Sequence, residues 1–115
     1  GAYHSMLAFG KDNLWRYENY QMRMGFPFYE NPQAYIENSP LYLSSEIQTP
    51  VMLWSGKNDS TVDPNQSIAL FLALRRRAQK ATLYLYHDEP HVLYKKENQI
   101  DLSRRIKSWM DYYLK

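Results

Sequence analysis

The sequence predicts an α/β fold. Three observations carry that reading: two short apolar runs bounded by chain breakers, Val51-Met52-Leu53-Trp54 and Ala81-Thr82-Leu83-Tyr84-Leu85-Tyr86; a strong helix start between them at Asp63-Pro64; and an amphipathic stripe near the end of the chain. A continuous apolar run of this length is what a strand buried on both faces of a parallel sheet shows. With one helix between two strands, a right-handed βαβ crossover is the default connection.

Residues 1–11 show no clear period. Leu14 to Met24 has helical character, with Leu14, Tyr17, Met22 and Met24 available for packing, and Gly25 with Pro27 ends it. Asn31-Pro32 opens a short helical turn through Tyr35 and Ile36, which Ser39-Pro40 closes. Phe26, Phe28, Tyr29 and Tyr35 form a dense aromatic group, readable as a substrate-binding wall or as a packed loop over a core. Leu41 to Ser45 is a connector, and Thr49-Pro50 introduces the first strand.

Asp63 is an N-cap carboxylate, Pro64 takes the first helical position, and Gln66 is placed as a capping-box partner. Ile68, Leu70, Phe71, Leu72 and Leu74 follow, too apolar for a fully exposed helix. That helix ends in Arg75-Arg76-Arg77, a solvated face that complements the helix dipole. The last helix runs from about Asn98 to Leu114, where Leu102, Ile106, Trp109, Met110 and Tyr113 draw one apolar stripe. Asp101 with Arg105 and Asp111 with Lys115 are favourable pairs along it.

At 115 residues the chain has room for one domain with a core but not for two. A hydrophobic fraction of 44% with both charge signs interspersed is that of a soluble globular fold. The net charge is only +2 and the basic residues are scattered, so nucleic-acid binding gains little support. No cysteine is present, which excludes disulfides, thiolate metal sites and cysteine catalysis. No apolar run approaches the roughly 18 residues of a membrane span, and no pattern points to a cofactor.

Functional groups in a parallel sheet collect at the carboxyl ends of its strands. Asp59 follows the first strand there, and His91 follows the second. On neighbouring strands, both side chains emerge at one edge within reach of each other. A carboxylate bonded to imidazole Nδ1–H fixes the tautomer, so that Nε2 can take a proton from a nucleophile. Asp before His is the order of the α/β-hydrolase scaffold, with the nucleophile earlier still. Singly, Asp59 is an ordinary turn former within Asn58-Asp59-Ser60, and His91 an ordinary polar residue. In matching strand contexts, they become candidates for acid and base. His87 and Asp88 adjoin the strand end without such a context, and His4 has none. His87 and His91 have the spacing for zinc, but no HExxH pattern or third ligand supports it.

Gly56-Lys57-Asn58-Asp59-Ser60-Thr61-Val62 and Glu89-Pro90-His91 closely resemble the C-terminal end of the prolyl oligopeptidase family of serine peptidases, which includes the dipeptidyl and acylaminoacyl peptidases. Asn38-Ser39-Pro40-Leu41-Tyr42 resembles the segment before the family's penultimate strand, and Ile47-Gln48-Thr49-Pro50 its lead into that strand. Leu70-Phe71-Leu72-Ala73-Leu74-Arg75 is similar to the helix between the aspartate and histidine loops. Asn98-Gln99-Ile100-Asp101 and Trp109-Met110-Asp111-Tyr112-Tyr113-Leu114 resemble its closing helix. The resemblance covers at least residues 35–115, with an extension back to about Leu14, and implies the C-terminal portion of an α/β-hydrolase catalytic domain over residues 1–115.

It also implies Asp59 as catalytic acid, His91 as general base and peptides as substrates. Two departures stand out: Pro90 stands where the family often has glycine before the histidine, fixing φ, and Asp63 separates Val62 from Pro64. Neither removes a catalytic group. The family's nucleophile lies on a G-x-S-x-G turn, and Gly1, Gly10, Gly25 and Gly56 flank no such serine. Losing that nucleophile costs on the order of a millionfold in kcat, so these residues alone are expected to be inactive. The alternatives are an esterase of the same fold and a binding or assembly module that kept the fold without the chemistry. Two strands alone make a marginal sheet with open edges, so self-association through strand edges or swapped N-terminal helices is expected.

Overall fold

The computed structural model describes residues 24–115, so the helix expected over residues 14–24 lies almost wholly outside the described residues. After a 3-10 turn at Phe28–Glu30 come helix α1 (Pro32–Glu37), a 3-10 turn at Ser44–Glu46, strand β1 (Val51–Gly56), helix α2 (Pro64–Arg76), strand β2 (Ala81–Tyr86) and helix α3 (Lys96–Tyr113). β1 and β2 pair in parallel with Val51 opposite Ala81 and Gly56 opposite Tyr86. The expected βαβ unit is present, with α2 packed against both strands.

The caps explain where the helices begin and end. Asn31 Oδ1 accepts from Ala34 N at 3.3 Å at the start of α1, and Asp63 Oδ1 accepts from Asn65 N at 2.8 Å at the start of α2. Pro64 fills the first turn of α2, where a missing N–H costs nothing. The end of α2 is a Schellman motif: Gln79 N donates to Leu74 O and Ala78 N to Arg75 O, both at 3.0 Å. Ala78 adopts a left-handed φ of 58° to make it. The three arginines at this end are exposed.

The aromatic group resolves as a packed loop. Tyr35 is fully buried, its hydroxyl donates to Phe26 O at 2.6 Å, and Phe26 and Phe28 meet it edge-on. Tyr29 points away, 80% exposed.

Three expectations need correction. β1 is not buried on both faces: Trp54 is 38% exposed, because only a two-stranded sheet exists among the described residues. Of the apolar stripe on α3, only Leu102 is fully buried, packing with Tyr86 and Leu93, while Ile106 and Met110 are exposed. Asp111 pairs with Lys107 rather than Lys115, whose ammonium lies 5.6 Å from the Tyr112 ring.

The junction of α3 with β2 is polar as well as apolar. Tyr86 Oη donates to Asp101 Oδ2 at 2.8 Å, and Arg105 Nε donates to the same oxygen at 2.7 Å. The Arg105 guanidinium lies 4.3 Å from the centre of the Tyr84 ring. Burial, reinforced by the Asp101 carboxylate, pushes the Tyr86 phenol up to about 12. Arg105, then Tyr86, holds the Asp101 carboxyl below its ordinary value.

Candidate active site

The register places the carboxyl ends of β1 and β2 side by side, Gly56 against Tyr86. Both following loops therefore start at one edge. They are stitched together at once: Lys57 N donates to Tyr86 O and Asn58 N to Glu89 O, each at 2.9 Å. Gly56 lies so close to the second loop that a Cβ there would overlap the carbonyl oxygens of Pro90 and Glu89.

Asp59 and His91 meet across this seam. Asp59 Oδ2 lies 2.9 Å from His91 Nδ1. The other oxygen, Oδ1, accepts from Thr61 N and Val62 N, each at 2.8 Å. Those two backbone donors fix the carboxylate's plane, so Oδ2 is aimed before the imidazole arrives. The carboxylate side chain is 6% exposed and the imidazole 53%. The carboxylate is thus shielded and the imidazole accessible. With Nδ1 engaged by the carboxylate, the proton of the neutral ring sits on Nδ1 and Nε2 is the basic nitrogen. A cavity of about 350 Å³ adjoins the pair, lined by Trp54, Ser55, Gly56, Val62 and Ser67 together with Asp59 and His91.

The other candidate side chains lie outside this pair. His87 and Asp88 are exposed, and Asp88 turns the chain with a φ of 54°. Asp63 is the cap of α2. His87 and His91 gain no third ligand: among the described residues no three His, Asp or Glu side chains form a group that could hold a metal. His4 lies outside the described residues.

One residue of the site has a part that the sequence reading did not assign. Glu89 is fully buried. Its carboxylate accepts from Tyr94 N at 2.8 Å, Lys95 N at 3.0 Å and Asn98 Nδ2 at 2.7 Å. Burial opposes its charge, but the bonds from Asn98, Tyr94 and Lys95 prevail and hold its pKa below the ordinary value. The start of the following helix accounts for this role. The helix beginning at Lys96 has Lys95 at its N-cap, which makes no side-chain cap bond, so a carboxylate just upstream is a natural substitute.

A parallel βαβ unit with an aspartate–imidazole pair on its carboxyl-end loops defines the class, a part of an α/β-hydrolase fold. The comparisons narrow it. The family model described as the prolyl oligopeptidase family, Peptidase S9, matches residues 2–115, and the chain belongs to that family. Dipeptidyl peptidase family member 6 of Caenorhabditis elegans is 28% identical over 85 residues, covering 74% of this chain and 12% of that protein. Dipeptidyl-peptidase 5 of Porphyromonas gingivalis is 26% identical over 96 residues, covering 80% of this chain and 14% of that protein. The solved structure of a puromycin-hydrolyzing peptidase from Mycobacterium tuberculosis matches with a TM-score of 0.55 and 31% identity, over 61% of this chain and 11% of that one. The chain therefore spans 11% to 14% of the length of these proteins. The family match reaches well upstream of residue 35, where the sequence motifs alone became specific.

Proposed function

We propose that residues 1–115 form the C-terminal part of a serine peptidase catalytic domain and supply Asp59 and His91 to a serine carried elsewhere in the full-length protein. The 2.9 Å contact between His91 Nδ1 and an Asp59 carboxylate already held by two backbone N–H groups carries this reading. The serine Oγ attacks the substrate carbonyl while His91 Nε2 takes its proton. Asp59 stabilises the resulting imidazolium, which then gives the proton to the leaving amine. Water repeats the cycle on the acyl-enzyme and releases the acid. Peptides are the substrate class, a reading supported by relatives named as dipeptidyl peptidases.

In the full-length protein, His91→Ala should lower kcat on a peptide substrate about a millionfold and Asp59→Asn about ten-thousandfold. Loss of less than about tenfold in His91→Ala would refute the assignment. We also infer that these residues, expressed by themselves, self-associate through the sheet edges left unpaired among the described residues or by swapping N-terminal helices.

A further inference from the structure

The histidine loop has no regular secondary structure between β2 and α3, and His91, Val92 and Tyr94 are all exposed. The base therefore gains little orientation from its own packing. Its loop is shaped by what is buried at each end, Glu89 and Leu93. Leu93 packs with Tyr86 and Leu102, and its carbonyl accepts from Gln99 Nε2 at 2.7 Å. Glu89 does more. Its carboxylate bonds the N–H groups five and six residues ahead, closing the chain into a ring that contains His91. The same residue's carbonyl oxygen accepts from Asn58 N, next to Asp59 in the chain.

We propose that Glu89 is the positioning residue of the acid–base pair: through its carboxylate and its carbonyl it ties the His91 loop to the start of α3 and to the Asp59 loop, setting the imidazole's place relative to Asp59. This rests on the assignment of Asp59 and His91 above. The requirement is geometric. Gln has the same length but replaces one acceptor oxygen with a donor, which faces donors in this site. The loop must then shift, and a shift of about an ångström at a catalytic group costs on the order of a hundredfold in rate. A plain cap of α3 would act differently, lowering stability while leaving every folded molecule equally reactive.

The test separates rate from stoichiometry in the full-length protein, using a fluorophosphonate to label the nucleophile. Glu89→Gln should label to nearly one group per chain, but about 10- to 100-fold more slowly than the wild type. A wild-type labelling rate in Glu89→Gln, whatever the labelled fraction, overturns the proposal. If Glu89→Gln does not fold, Asn98→Ala decides, since it removes one donor and leaves the two backbone bonds. Its labelling should slow several-fold, less than in Glu89→Gln because the loop keeps two of its three ties, and a wild-type rate again overturns the proposal. His91→Ala labelled in parallel keeps the two ideas apart. Rapid labelling of His91→Ala sinks the acid–base assignment itself, whereas slow labelling there with fast labelling of Glu89→Gln sinks only the role of Glu89.

Discussion

At Gly56 the obstacle to a side chain is distance. Its φ is not in the left-handed region, yet a Cβ would run into backbone oxygens of Pro90 and Glu89. Backbone cannot swing aside as a flexible side chain can, so Gly56→Ala should destabilise the protein by about 1–3 kcal/mol. It should also slow peptide hydrolysis, because the atoms displaced belong to the histidine loop. Urea unfolding and kcat of the full-length variant check both. Acid should act on the neighbouring Glu89. Its folded pKa is lowered, so its contribution is complete above the ordinary value of 4.5 and lost as pH falls through the lowered one. Protection factors of the Tyr94 and Lys95 amides, which correct for the intrinsic slowing of exchange in acid, should stay high down to about pH 4.5 and fall below it. In Glu89→Gln that pH dependence should vanish.

Helix α2 offers a change in the opposite direction. Ala78 holds a left-handed conformation that L-residues adopt at a cost of about 1 kcal/mol or more. Ala78→Gly should therefore stabilise the protein by about 1 kcal/mol, read as a raised Tm. At the other junction, Tyr86→Phe removes a hydroxyl bonded to Asp101 while Arg105 remains to pair that carboxylate. The cost should be about 0.5–1.5 kcal/mol. The wild-type phenol has a raised pKa, so its contribution holds below about pH 10 and is lost as pH rises through about 12. Tyr86→Phe should abolish that alkaline loss. Both strands, both long helices and the Asp63 cap were legible in the sequence because their signals are local. The Lys107–Asp111 pairing was not, since Asp111 has a lysine four residues away on either side and only the rotamers choose between them.

At the scale of the whole molecule, the sheet has two strands among the described residues, and that limits what it can bury. Apolar Ile106, Met110, Trp54 and Leu72 are exposed, although their sequence pattern reads as core. Pattern reports which face is apolar, while burial depends on what else is packed against it. Asp59 and His91 were readable for a related reason: strand register alone decides that the two loops share an edge. Glu89 escaped because its bonds depend on a loop path that no periodicity encodes. The 115 residues expressed alone should give a mass above the monomer by light scattering at micromolar concentration, and a monomeric mass contradicts edge pairing. They should also resist fluorophosphonate labelling, since no serine among them lies on a G-x-S-x-G turn.

The bonds from Asn98 and Gln99 to the histidine loop come from the opening turn of α3. Helix ends fray at far lower free energy than the molecule melts. Warming should therefore loosen the His91 loop while the sheet is still intact, so thermal loss of the proposed activity in the full-length protein should set in several degrees below its calorimetric transition and reverse on cooling.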